Sequence, residues 1–163
     1  MNKALRVCIM TIIVGFALAI MPLPEWAEEF RPDWVTLVLI YWAMAMPMTI
    51  GVIVAWCAGL LLDVAYGSLM GQNAAGMAFI IWFVHIQHQR LRVASLLQQA
   101  MVIFVLLFIK QTGTLWVDGM LGRAPNSWFY YMPTLISALL WPWVYLILRD
   151  LRRKFSLAKH STF

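Results

Sequence analysis

The chain has 163 residues, 63% of them hydrophobic and 12% charged, with a mean hydropathy of +0.80. That composition excludes a soluble domain, which could not keep so much apolar surface dispersed, and it reads as a polytopic membrane protein. The formal net charge of +5 does not point to nucleic acid, because the cations sit in short gaps beside apolar runs and no basic face is interleaved with exposed aromatics.

A helical crossing needs about 20 apolar residues, so the length allows at most six or so spans with short loops. The fold class expected is all-α, a single integral membrane domain over 1–163. The first span covers about 7–23, behind Lys3 and Arg6. This start, with Ala17-Leu-Ala19, imitates a secretory signal, but the apolar run continues to Leu23 and predicts an uncleaved anchor. Cys8 and Cys57 both lie in apolar runs, so no disulfide framework is indicated. The gap that follows is acidic, with Glu25, Glu28, Glu29 and Asp33; the next certain gap, His85 to Arg92, is basic. The two should face opposite sides.

Between them, 34–66 could be one helix, two short helices or a re-entrant hairpin. Lys3 and Arg6 place the N-terminus in the cytoplasm, and Arg90 and Arg92 place their gap there too, so an even number of crossings separates them. Pro47 and Gly51 supply a break, giving about 34–47 and 50–66. Neither half easily spans a hydrocarbon core of about 30 Å at 1.5 Å per residue, so both should lie inside the bundle or thin the bilayer locally.

Further spans are expected at about 73–86, 93–117 and 129–148, followed by a basic tail, 149–163, that includes Lys159. The resulting topology has six spans with both termini cytoplasmic. Its longest outer loop runs from Gly113 to Trp128, and Trp26, Trp34, Trp116 and Trp128 form an outer aromatic belt. No repeat or heptad is strong enough to argue from.

Gly51, Ala55 and Gly59 recur at intervals of four, lining up small residues for close backbone approach, either within the bundle or to another protein's helix. Ala74 and Ala78 repeat the pattern. Asp63 and Lys110 both fall in apolar surroundings at the outer depth and are expected to pair, which would offset desolvation. Alternatively Lys110 snorkels outward and Asp63 caps the turn Tyr66 to Gly71. His85 and His88 at i and i+3 are more consistent with an interfacial turn than with a metal site. No paired carboxylate, nucleophile elbow, Cys/His spacing or phosphate loop is present, so neither an enzyme nor a cofactor is expected.

Four ordered stretches resemble a known family. Phe30-Arg-Pro-Asp-Trp34, followed by Leu37-Val-Leu-Ile-Tyr-Trp42 and Met46-Pro47, looks like the signature of the bacterial rod shape-determining family MreD. Gly59 to Gly71, Leu96-Leu-Gln-Gln-Ala100 and Leu140-Trp-Pro-Trp143 agree with it in order and spacing. The resemblance implies a non-enzymatic scaffold of the cell-elongation machinery that binds MreC and works with MreB, RodA and a penicillin-binding transpeptidase. It marks Arg31, Pro32, Asp33, Trp34, Trp141, Pro142 and Trp143 as candidate packing or partner positions. The design is also similar to the six-helix substrate-binding subunits of energy-coupling-factor transporters. That likeness leaves a vitamin-capturing subunit as the alternative, with the loop Asp118 to Asn126 as its lid candidate.

Overall fold

The computed structural model describes residues 3–157; the end of the tail, with Lys159, lies outside the described residues. Among the described residues the secondary structure is entirely helical: α1 (Lys3–Ile20), α2 (Glu25–Glu28), α3 (Trp34–Ala45), α4 (Val52–Tyr66), α5 (Gln72–Val93), α6 (Leu96–Met120) and α7 (Met132–Leu157), with a 3-10 turn at Trp128–Tyr131. Three stretches are long and apolar enough to cross a membrane: Lys3–Ile20, Leu96–Met120 and Trp128–Phe155. α3 and α4 are apolar but shorter.

α3 is the axis of the bundle. Its sequence is apolar on every side, which suits a helix with no solvent or lipid face, and Val35 to Met44 are buried without interruption. It packs against α1, α5 and α7, while the five outer helices touch in the order α1, α4, α5, α6, α7 and back to α1. At 12 residues it is roughly 18 Å long, well short of a hydrocarbon core. Burial inside the ring is what makes so short a helix tenable. The stretch 34–66 is thus two helices, interrupted where Pro47 and Gly51 predict. Thr49 N and Ile50 N both donate to the Met46 carbonyl, at 3.0 and 3.1 Å, and Gly51 is the extended N-cap of α4.

The helices overrun several predicted boundaries. The basic stretch His85 to Arg92 is not a turn but the last part of α5, where Arg90 and Arg92 complement the helix's negative end. The real turn is Ala94-Ser95, and Ser95 and Gln98 close a capping box that starts α6. α6 continues through Gly113 to Met120, so the long loop shrinks to 121–127. Much of the expected tail belongs to α7.

Charge is unevenly divided along the bundle axis, although Asp150 sits at the basic end and Arg31, Lys110 and Arg123 at the acidic end. Lys3, Arg6, Arg90, Arg92, Arg149, Arg152, Arg153 and Lys154 all lie at the end formed by the N-terminus of α1 and the C-termini of α3, α5 and α7. Glu25, Glu28, Glu29, Asp33, Asp63 and Asp118 lie at the other.

Candidate functional site

At the acidic end, Phe30 to Trp34 is a latch rather than an exposed loop. Arg31 donates to the Ala19 carbonyl and, at 2.7 Å, to the Met21 carbonyl, satisfying orphan acceptors at the end of α1. Pro32 leads directly into Asp33, the N-cap of α3, whose carboxylate accepts from Thr36 N at 3.4 Å. Asp33 N donates to Ser137 Oγ of α7 at 2.9 Å. The other carboxylate oxygen of Asp33 takes the ammonium of Lys110 from α6, which also donates to Thr36 Oγ1 at 3.4 Å. One five-residue segment therefore ties α1, α3, α6 and α7 together.

The pairing expected from sequence between Asp63 and Lys110 does not form: Lys110 goes to Asp33. The reason is local on both sides. Asp63 accepts from Ser68 Oγ (2.7 Å), Gly71 N (2.8 Å), Asn73 N (2.9 Å) and Asn73 Nδ2 (3.0 Å), which consumes its carboxylate at the start of α5. This is the turn-capping alternative, supported by left-handed Gly67 (φ 62°) and Gly71 (φ 100°). The stem of Lys110 instead crosses α5 at Gly76, where any Cβ would come within 2.6 Å of Lys110 Cγ. Gly76 is the residue that opens this path, and no sequence pattern singled it out.

The small-residue stripe is spent within the bundle. Ala55 and Gly59 face α5, and a Cβ on Gly59 would lie 2.6 Å from Ala74 N and 2.9 Å from Asn73 C, inside backbone. Gly51 has open space instead and only caps α4, so it does not continue the face. Ala74 is fully buried in this contact, and Ala78 is half-buried.

The two remaining family-like stretches meet each other. Trp141 is fully buried and its indole N–H donates to Gln99 Oε1 at 3.0 Å; Gln99 Nε2 donates to the Leu91 and Ala94 carbonyls at 2.8 and 3.2 Å. This closed network joins α7 to the α5–α6 turn. Pro142 lies half-buried in α7, while Trp143 faces outward. Trp26, Trp116 and Trp128 are exposed, whereas Trp34 is drawn into an apolar groove.

That groove lies between α1 and α7 over α3, and nothing in the sequence pattern announced it. Val7, Thr11, Val14 and Leu18 line one wall and Val144, Leu148, Leu151 and Phe155 the other, enclosing about 400 Å³. Along α1 the spacing is four, three and four, that of a helix-packing seam. Each wall runs for roughly 16 Å. Thr11 is the single polar side chain among those named, and it is occupied: its hydroxyl donates to the Cys8 carbonyl at 2.9 Å and accepts from Trp42 Nε1 at 2.8 Å. The groove's two named walls offer hydrocarbon contact, with the one hydroxyl already bonded within the bundle.

His88 Nδ1 is engaged with the His85 carbonyl at 2.6 Å, and among the described residues no three His, Cys, Asp or Glu side chains group closely enough to hold a metal ion.

Comparison with known proteins points to the same family. The family model described as rod shape-determining protein MreD matches residues 1–151. The rod shape-determining protein MreD of Haemophilus influenzae is 30% identical over 145 residues, covering 89% of this chain and 90% of that protein. No solved structure matches. With the family model covering nearly the whole chain, the protein belongs to the MreD family of rod shape-determining proteins.

Proposed function

We propose that this protein is a non-enzymatic membrane scaffold of the rod-shape system, which holds the transmembrane helix of a single-pass partner, MreC, in the groove between α1 and α7. Through that partner it connects MreB filaments in the cytoplasm with peptidoglycan synthesis by RodA and a transpeptidase outside. The observation that carries this reading is the groove: apolar along both walls apart from the occupied Thr11, of helical seam spacing, and open to the outside of the bundle at Val14 and Ile147. Without a hydrophobic driving force between helices in lipid, such association depends on shape and close packing, which a preformed furrow supplies. Three interior polar sets are committed within the bundle: Asp33 to Lys110, Asp63 to its turn, and Gln99 to Trp141.

Filling the furrow tests this. Val14→Trp with Ile147→Trp adds bulk at two exposed groove positions and should leave protein level and melting unchanged while lowering co-purified MreC about tenfold, the size of a central interface contact. Undiminished capture by this variant contradicts the reading.

The topology that goes with it has six crossings of the inner membrane and both termini in the cytoplasm, with the basic end of the bundle inside. Thr49 is exposed in the α3–α4 turn, so Thr49→Cys should react with a thiol reagent only after the cytoplasmic face is opened. Labelling from the periplasm of intact cells would reverse the orientation.

A further inference from the structure

A second cavity, of about 120 Å³, lies at the basic end between α3, the end of α5, and α7. Tyr41 and Tyr145 form its inner wall, and Arg149, Arg152 and Arg92 surround it. Tyr41 is buried, Tyr145, Arg149 and Arg152 are half-buried, and Arg92 sits on the rim. From these residues we propose that the cavity is a binding site for a phosphoryl group, supplied by the headgroup of an anionic membrane lipid.

Three guanidinium groups converge here, and among the described residues no carboxylate lines the cavity. Asp150 lies outside the lining and forms only a partly exposed ion pair with Arg149, Nε to Oδ1 3.5 Å, with the Arg149 and Asp150 side chains 41% and 59% exposed. Arg149 Nε is itself buried without a hydrogen-bond partner among the described residues. Like charges held together in a partly desolvated site repel more strongly than they would in water, so an anion that neutralises them is favoured there. Arginine forks match phosphoryl oxygens in geometry, and tyrosine hydroxyls add neutral donors beside them. Arg92 is already oriented by its bond to the Met44 carbonyl at the end of α3. The volume is several times the ~10–15 Å³ that a single water requires, enough for a tetrahedral group.

A lipid is favoured over a soluble phosphate because the cavity opens at the end of a membrane bundle, where helices give way to the headgroup layer. Basic pockets between helices at that depth select anionic headgroups. The site does not depend on what fills the α1/α7 groove, since Tyr41, Tyr145, Arg149 and Arg152 turn away from it.

The test uses the full-length protein in nanodiscs of phosphatidylcholine doped with phosphatidylglycerol, followed by mild detergent extraction and native mass spectrometry of retained lipid. Wild type should retain phosphatidylglycerol in preference to phosphatidylcholine. Arg149→Gln with Arg152→Gln should lower that retention about tenfold, through loss of charge-assisted hydrogen bonds. Arg153→Gln with Lys154→Gln removes the same charge from exposed neighbours and should lower it by less than about threefold. Arg149→Lys with Arg152→Lys keeps charge and fold but loses the fork, and should fall between; it serves if the glutamine pair does not fold. In a parallel arm inorganic phosphate is titrated into neutral discs. Binding there with the same arginine dependence supports the phosphoryl site with a soluble source. Equal losses in the two charge-matched pairs would overturn the site in favour of diffuse surface charge. Binding of neither probe would overturn it as well.

Discussion

Replacing Lys110 by methionine is expected to destabilise the purified protein by about 3 kcal/mol in a detergent-unfolding titration, because it strands the Asp33 carboxylate without its counter-charge. The Lys110 side chain is 6% exposed and that of Asp33 22%. Such a pair adds little over an apolar substitute, yet breaking it on one side is costly. The diagnostic result is therefore the double variant. Asp33→Asn with Lys110→Met should recover a large part of the loss, since two neutral groups of similar shape remain. Asp63→Asn with Lys110→Met should instead be additive, as expected of residues that share no partner. No recovery in the first double variant would rule out Asp33 as the partner.

Gly59→Leu should abolish accumulation of the folded protein rather than weaken partner capture selectively. A side chain at Gly59 meets backbone of α5, which has no flexible end to swing aside. α4 must then move off α5 and pull Asp63 away from the turn it caps. Changes of this kind fall at the upper end of single-residue effects, above about 4 kcal/mol. Gly59→Ala makes the sharper measurement, because the Cβ alone creates the overlap. It should lower the melting temperature clearly, while MreC captured per folded molecule stays constant. A wild-type melting temperature for Gly59→Ala would show that the two helices are not held this closely.

The elements most legible in the sequence were those where length and apolarity coincide. α1, α6 and α7 stand out as long apolar runs, and Pro47 with Gly51 is enough to mark the α3–α4 break. Helix ends were less legible: α5 carries its arginines into its last turn, so a polar stretch that looks like a loop is still helical. The site was legible in its residues but not in its pairings. Arg31 and Asp33 were singled out by the family signature, yet Asp33 was assigned to the acidic loop while Lys110 was paired with an acid of similar depth. Depth alone could not decide this. An available signal was Asp33 immediately before an apolar run, a helix N-cap pattern whose carboxylate accepts a backbone N–H of the first turn and is drawn into the bundle. Gly76, on the α5 face that Lys110 crosses, was the other. The groove gave no such signal. α1 is apolar on all sides, and in lipid a groove-lining valine and a lipid-facing valine obey the same chemistry. Only the placement of α7 beside it distinguishes them.

Site-specific photocrosslinking in living rod-shaped cells, with the reactive residue placed in turn at Val14, Leu18 and Ile147 in the groove and at Ile53, Leu61 and Val64 on the exposed face of α4, tests the scaffold reading most directly. All six positions are open to the surroundings. The account predicts MreC adducts from the three groove positions and not from the α4 face. MreC adducts confined to α4, or phospholipid as the sole product from all three groove positions, would contradict it.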